Sequence, residues 1–143
     1  MMLVGGGEIT DDERRQLARL RISNRVHAMP ACEDQLRSIY RNAACFVFPS
    51  MYEGFGLPVL EAFAEGCPVV LADNPCFREI AQDGAYFFDW RDPEACAYAI
   101  SEALASGPDR ESKIARGFEL ATTYSWQKTA SRHAEAYLRL LAS

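Results

Sequence analysis

At 143 residues, with 49% hydrophobic and 24% charged side chains, the chain has an ordinary globular composition, enough for one core and too short for two full domains. A net charge of −5 argues against a nucleic-acid-binding surface, which carries a basic excess, and no apolar run is long enough to span a bilayer. Five cysteines (Cys32, Cys45, Cys67, Cys76, Cys96) form an odd set without a Cys-x-x-Cys pair, so neither a zinc site nor a disulfide framework is expected.

Short β-branched or aromatic runs alternate with amphipathic stretches, the pattern of a parallel sheet covered on both faces. The fold class expected is therefore α/β, Rossmann-like. Strands are expected near Met2 to Gly5, Arg25 to Ala28, Ala44 to Phe48, Val69 to Ala72 and Ala85 to Phe87. Gly5-Gly6-Gly7 follows the first strand without the G-x-G-x-x-G spacing of a dinucleotide site and reads as a strand-to-helix turn. A helix opens at Thr10 or Asp11 and keeps Leu17, Leu20 and Ile22 toward the core, while Arg14, Arg15, Arg19, Arg21 and Arg25 read as a solvated face. The next helix, about Glu33 to Arg41, buries Leu36, Ile39 and Tyr40.

Pro49 to Pro68 is the richest stretch: a glycine-rich loop feeding a helix, with acids at Glu53 and Glu61. Pro58 suits a first helical position, and Gly66 followed by Pro68 is a stop signal, so the helix is expected from Pro58 to Glu65. Its N-terminus offers amides at Val59 and Leu60, and the loop from Gly54 to Leu57 adds more, a mouth able to hold a phosphate. Glu61, read as a first-turn residue, would repel a bare phosphate and suits a neutral diol attached to one, such as a ribose or a sugar ring; Glu53 can act alike. Taken singly, Glu53 reads equally well as a solvated loop acid and Glu61 as a partner of the helix dipole.

Toward the C-terminus, Asp92-Pro93-Glu94 is a helix start, with Ala95, Ala99, Ile100, Ala103 and Leu104 forming an apolar stripe up to Gly107-Pro108. Two further helices follow, split near Tyr124-Ser125. The last runs from Trp126 almost to the end, with Ala130, His133, Ala134, Tyr137, Leu138 and Leu141 near one face, and is expected to be an amphipathic core helix.

The Glu53-Gly54-Phe55-Gly56-Leu57-Pro58 run, closed by Glu61, resembles the signature of family 4 (group 1) retaining glycosyltransferases of the GT-B architecture. The likeness extends to Leu3-Val4-Gly5-Gly6-Gly7-Glu8, Ala44 to Ser50, Pro68 to Ala72, Phe77-Arg78-Glu79-Ile80, Asp83-Gly84-Ala85 and Tyr124-Ser125-Trp126. It implies the C-terminal, donor-binding half of such an enzyme. By resemblance, Glu61 binds the donor ribose, Glu53 faces the transferred sugar, amides around Phe55, Gly56 and Leu57 contact sugar and phosphate with Gly54 in the same loop, and Ser50 lies near the nucleotide. The implied catalytic pair is Glu53 and Glu61, with no metal and no cofactor beyond the nucleotide-diphosphate sugar, in UDP, GDP or ADP form. Met29-Pro30 departs from the family's glycine near the base and leaves the base open.

Against the family's domain, the chain lacks the first strand and helix and the Arg and Lys they bring, so residues 1–143 are expected to be a single nucleotide-sugar-binding domain, incomplete at its N-terminal side. The absent strand would lie between the strands at Met2 and Ala44, which exposes edges or makes these two pair directly. The partners expected are the nucleotide-sugar, a glycan or lipid-linked acceptor, and an N-terminal domain or complementary chain, with self-association a further outcome. The activity implied is transfer of a sugar, mannose or glucose, and the chain alone is expected to be inactive. Alternative readings are a non-catalytic nucleotide-sugar-binding module, one half of a split glycosyltransferase, or a hydrolase using Glu53 and Glu61 as acid and base. The chain opens on a strand pattern without a signal peptide, so the cytoplasm, with or without peripheral attachment at the inner membrane face, is the expected compartment.

Overall fold

The computed structural model describes residues 1–141. Strands and helices alternate as expected, and the chain divides into two compact units, residues 1–38 and Ile39 onward.

In the first unit, β1 (Met2–Val4) pairs in parallel with β2 (His27–Met29), Met2 opposite His27. Between them lies α1 (Asp11–Arg19), opened by Thr10 in a capping box with Glu13 and by three acids in its first turn. A short 3₁₀ turn, Ser23–Arg25, takes Arg25 out of the strand expected there. Val26 is this unit's buried hydrophobic residue; α1 buries none of its own. Leu20, expected in the core, is 67% exposed, because α1 ends at Arg19 and Arg21 turns the chain through a positive φ of 57°.

α2 (Glu33–Asn42) leads into the second unit, where Tyr40 is buried and Ile39 half-buried. There β3 (Phe46–Phe48), β4 (Val69–Ala72) and β5 (Tyr86–Phe88) form a parallel sheet in the order β3-β4-β5. β4 is buried along its whole length, which is why it reads as an unbroken apolar run rather than an alternating one. Val70 and Ala72 pack with Tyr86, Phe88, Ala99 and Ala103 of α5 (Pro93–Leu104), capped by Asp92 as its Asp-Pro start predicts. Val69 and Leu71 point to the other face. α3 (Leu57–Ala64), which touches β4, also packs on α6 (Pro108–Thr123). That contact is close enough that a Cβ on Gly117 would stand 2.5 Å from Phe63 Cδ1.

The five strands thus form two parallel sheets: β1 has β2 as its hydrogen-bonded neighbour, β3 has β4, and each keeps a second edge unpaired among the described residues. Two further differences stand out. Pro75–Ala81 forms a helix, α4, that the apolar pattern alone did not mark, opened by Asn74. α7 (Trp126–Leu141) is not a core helix: none of its described residues is buried, and Tyr137, Leu138 and Leu141 are 63%, 66% and 85% exposed. Tyr124, extended at φ −101° and ψ 132°, ends α6 and turns the chain out of the core before α7 begins.

Candidate functional site

The loop from Ser50 to Gly56 carries the chain from the end of β3 into α3. Gly56 is the N-cap of α3 at φ +96°, a conformation that favours glycine, and a Cβ there would press to 3.1 Å from Phe77 Cε1. The helix starts at Leu57, one residue earlier than expected, with Pro58 second. The Val59 amide is not available as expected: it donates to the Gly56 carbonyl at 2.9 Å, because the left-handed cap closes a tight first turn. The amides of Gly56 and Leu57, by contrast, have no hydrogen-bond acceptor among the described residues. They sit at the positive end of the α3 dipole.

Glu61 falls in the second turn of α3 rather than the first, and its side chain is exposed. The Tyr40 hydroxyl, from the last turn of α2, donates to Glu61 Oε2 at 3.4 Å. One turn on, Arg41 Nε donates to Glu65 Oε2 at 3.0 Å, so two adjacent residues of α2 meet an i, i+4 pair of acids. Burial, reinforced by the Glu61 carboxylate, pushes the Tyr40 phenol well above its usual range, which keeps it a proton donor.

Glu53 is half-buried on the loop. Burial raises the Cys76 thiol, and the Glu53 and Glu79 carboxylates add to it. The Cys76 thiol donates to the Phe55 carbonyl at 3.2 Å, and the Phe55 ring meets Tyr124 edge-on at 5.6 Å. Ser50 turns its hydroxyl into the loop, donating to the Tyr52 carbonyl at 3.1 Å, while its own carbonyl accepts from Asn74 Nδ2 at 3.1 Å.

The fold therefore gathers Ser50, Glu53, Gly54, Phe55, Gly56 and Leu57 onto one loop and cap, braced by α4, and sets Glu61 one turn along α3. Among the described residues no hydrogen bond joins Glu53 to Glu61. The sequence did not mark Tyr40, Asn74 or Cys76 as site residues. Asn74 had a signal, since Asn-Pro before an apolar run is a helix-cap pattern. Tyr40 had none beyond its place in an apolar stripe. Among the described residues no cluster of three or more His, Cys, Asp or Glu is arranged to hold a metal, and no helix is long and apolar enough to cross a membrane.

Residues 1–119, which include every strand and all the loop and α3 residues above, match the model of the family described as glycosyl transferases group 1. The chain is 36% identical over 105 residues to the O-antigen chain mannosyltransferase B of Escherichia coli, covering 73% of this chain and 28% of that protein. It is 34% identical over 141 residues to the D-inositol 3-phosphate glycosyltransferase of Mycolicibacterium vanbaalenii, covering 96% of this chain and 31% of that one. The sucrose-phosphate synthase of Thermosynechococcus elongatus superposes with a TM-score of 0.83 at 25% identity, over 99% of this chain and 38% of the synthase. The chain spans about a third of the length of each of these three proteins. With the glycine corner, the flanking acids and the parallel strands all inside the matched span, the chain belongs to the glycosyl transferases group 1 family and has its Rossmann-like GT-B fold.

Proposed function

We propose that this chain is the donor-binding part of a retaining glycosyltransferase that moves a sugar from a nucleotide-diphosphate sugar to a glycan or lipid-linked acceptor. The observation that carries the reading is the pair of unpartnered amides, Gly56 and Leu57, at the N-terminus of α3 beside a left-handed glycine. Such a terminus stabilises an anion through directed N–H groups and the helix dipole, and a leaving diphosphate gains negative charge in the transition state. Glu61, held by the Tyr40 hydroxyl, accepts hydrogen bonds from the donor ribose; Glu53 faces the sugar, with the Gly54 and Phe55 backbone beside it. The names of two relatives, both mannosyltransferases, support a mannosyl donor; a glucosyl donor is the alternative, and UDP, GDP and ADP are the nucleotide forms to test.

A second reading is a binding module, or one half of a split enzyme, that grips donor without turnover. The open edges of β1 and β3 suit strand addition by a complementary polypeptide or by a second copy. Calorimetry with UDP-, GDP- and ADP-sugars, run beside a transfer assay on the chain joined to the N-terminal domain of a group 1 glycosyl transferase, separates the readings. Binding with transfer supports the enzyme, binding without transfer the module, and no binding of any of the three contradicts both.

A further inference from the structure

The corner that carries the Gly56 and Leu57 amides is tied to the first turn of α4 at three points. Asn74 Nδ2 donates to the Ser50 carbonyl at 3.1 Å, Cys76 Sγ donates to the Phe55 carbonyl at 3.2 Å, and the Phe77 ring packs on Gly56. Asn74 is the buried polar residue of the described chain, 7% exposed, and both ends of its amide are engaged, because its Oδ1 also accepts from the Phe77 amide at 2.9 Å. Asparagine alone serves both tasks. Serine would cap the helix without reaching Ser50, and aspartate would cap it but set a carboxylate oxygen against a carbonyl.

The ties have a directional consequence. Among the described residues no peptide bond is cis, and a trans peptide points its N–H opposite to its C=O. Holding the Phe55 carbonyl toward α4 therefore turns the Gly56 N–H away from α4. Gly56 is buried and its amide lacks an acceptor, a state that buried backbone donors rarely keep without a partner. Resting on the donor-site reading above, we infer that Asn74 is a positioning residue for that site. It joins the α4 N-terminus to the Ser50 carbonyl and, with Cys76 as the second tie, fixes the peptide planes of the loop so that the Gly56 amide meets the donor diphosphate.

The test uses the 143-residue chain with UDP, GDP and ADP as probes, reading affinity by NMR titration, the Gly56 N–H orientation by residual dipolar coupling, and folding by thermal unfolding. Asn74→Ser keeps a cap on α4 and removes the tie to Ser50. It is expected to fold, to change the Gly56 coupling, and to weaken nucleotide binding about tenfold, the scale of one lost hydrogen bond. Should Asn74→Ser fail to fold, Cys76→Ala is expected to change the same coupling and weaken binding, with Cys76→Ser, which keeps a donor, restoring most of the loss. A folded Asn74→Ser or Cys76→Ala variant that binds like the parent, with the Gly56 coupling unchanged, overturns the inference and leaves the donor-site reading standing. A parent chain that binds none of the three nucleotides overturns that reading and this inference together.

Discussion

Residues 1–38 and the unit from Ile39 onward are written in the same alphabet of strand, glycine turn and amphipathic helix, yet only the second builds a core. In the first, α1 has the better local signals, a full capping box and acids at its positive end, and buries nothing. In the second, α3 has a glycine cap without a side-chain bond and buries Val59, Ala62 and Phe63. Capping decides where a helix begins, whereas burial depends on a sheet with both faces covered, which β4 has and β1 does not. The candidate donor site lies wholly on the part with the core, where a loop can be held rigidly enough to aim its amides.

The comparison breaks most directly at the two leucines. Leu71→Ala, at a fully buried position of β4, is expected to cost about 3 kcal/mol in urea unfolding, and Leu20→Ala, at an exposed one, about 0.5 kcal/mol or less. Equal losses would mean that both regions share one core. Gly117→Ala forces a methyl against Phe63 where α3 meets α6, and a loss of about 2 kcal/mol is expected, again confined to the second unit. Thr10→Ala removes the α1 cap and is expected to cost about 1 kcal/mol, read as faster amide exchange in residues 11–19 alone.

Acid should touch both regions, and more mildly. The Arg78 guanidinium holds the Asp73 carboxyl below its usual range, Arg116 does the same for Asp83, and the Thr10 backbone and hydroxyl do so for Glu13. Each folded carboxyl binds its proton less readily than the unfolded one, so this stabilisation is full above the ordinary carboxyl pKa of about 4 and is lost as pH falls through the lowered values. Unfolding midpoints that stay level from neutral pH to about 5 and drop below 4 are expected. Asp73→Asn should flatten that drop, and an unchanged acid limb in Asp73→Asn would remove Asp73 from the account.

Much of this molecule was legible before the fold was seen, wherever the cause is local. Thr10 with Glu13, Asp92 with Pro93, and Gly66 with Pro68 mark helix ends through bonds that span a few residues. The turn into α3 was legible only in part: Pro58 marks a helix start, but the left-handed cap at Gly56 moves that start to Leu57 and engages the Val59 amide. What stayed hidden depends on chain segments far apart. Tyr40 reaches Glu61 across 21 residues and Asn74 reaches Ser50 across 24, and no spacing rule links such positions. Leu20 and α7 misled through the opposite fault, because an apolar stripe shows which face would be buried and says nothing of whether another element arrives to cover it.

The central claim is that the Gly56–Leu57 corner receives the donor diphosphate. Its most direct test is an amide NMR titration of the chain with UDP, GDP and ADP, each compared with its nucleoside. The Gly56 and Leu57 amides are expected to shift with the diphosphates far more than with the nucleosides, saturating at one site. Shifts that leave this corner unmoved and gather elsewhere, or that are the same with and without the phosphates, would contradict it.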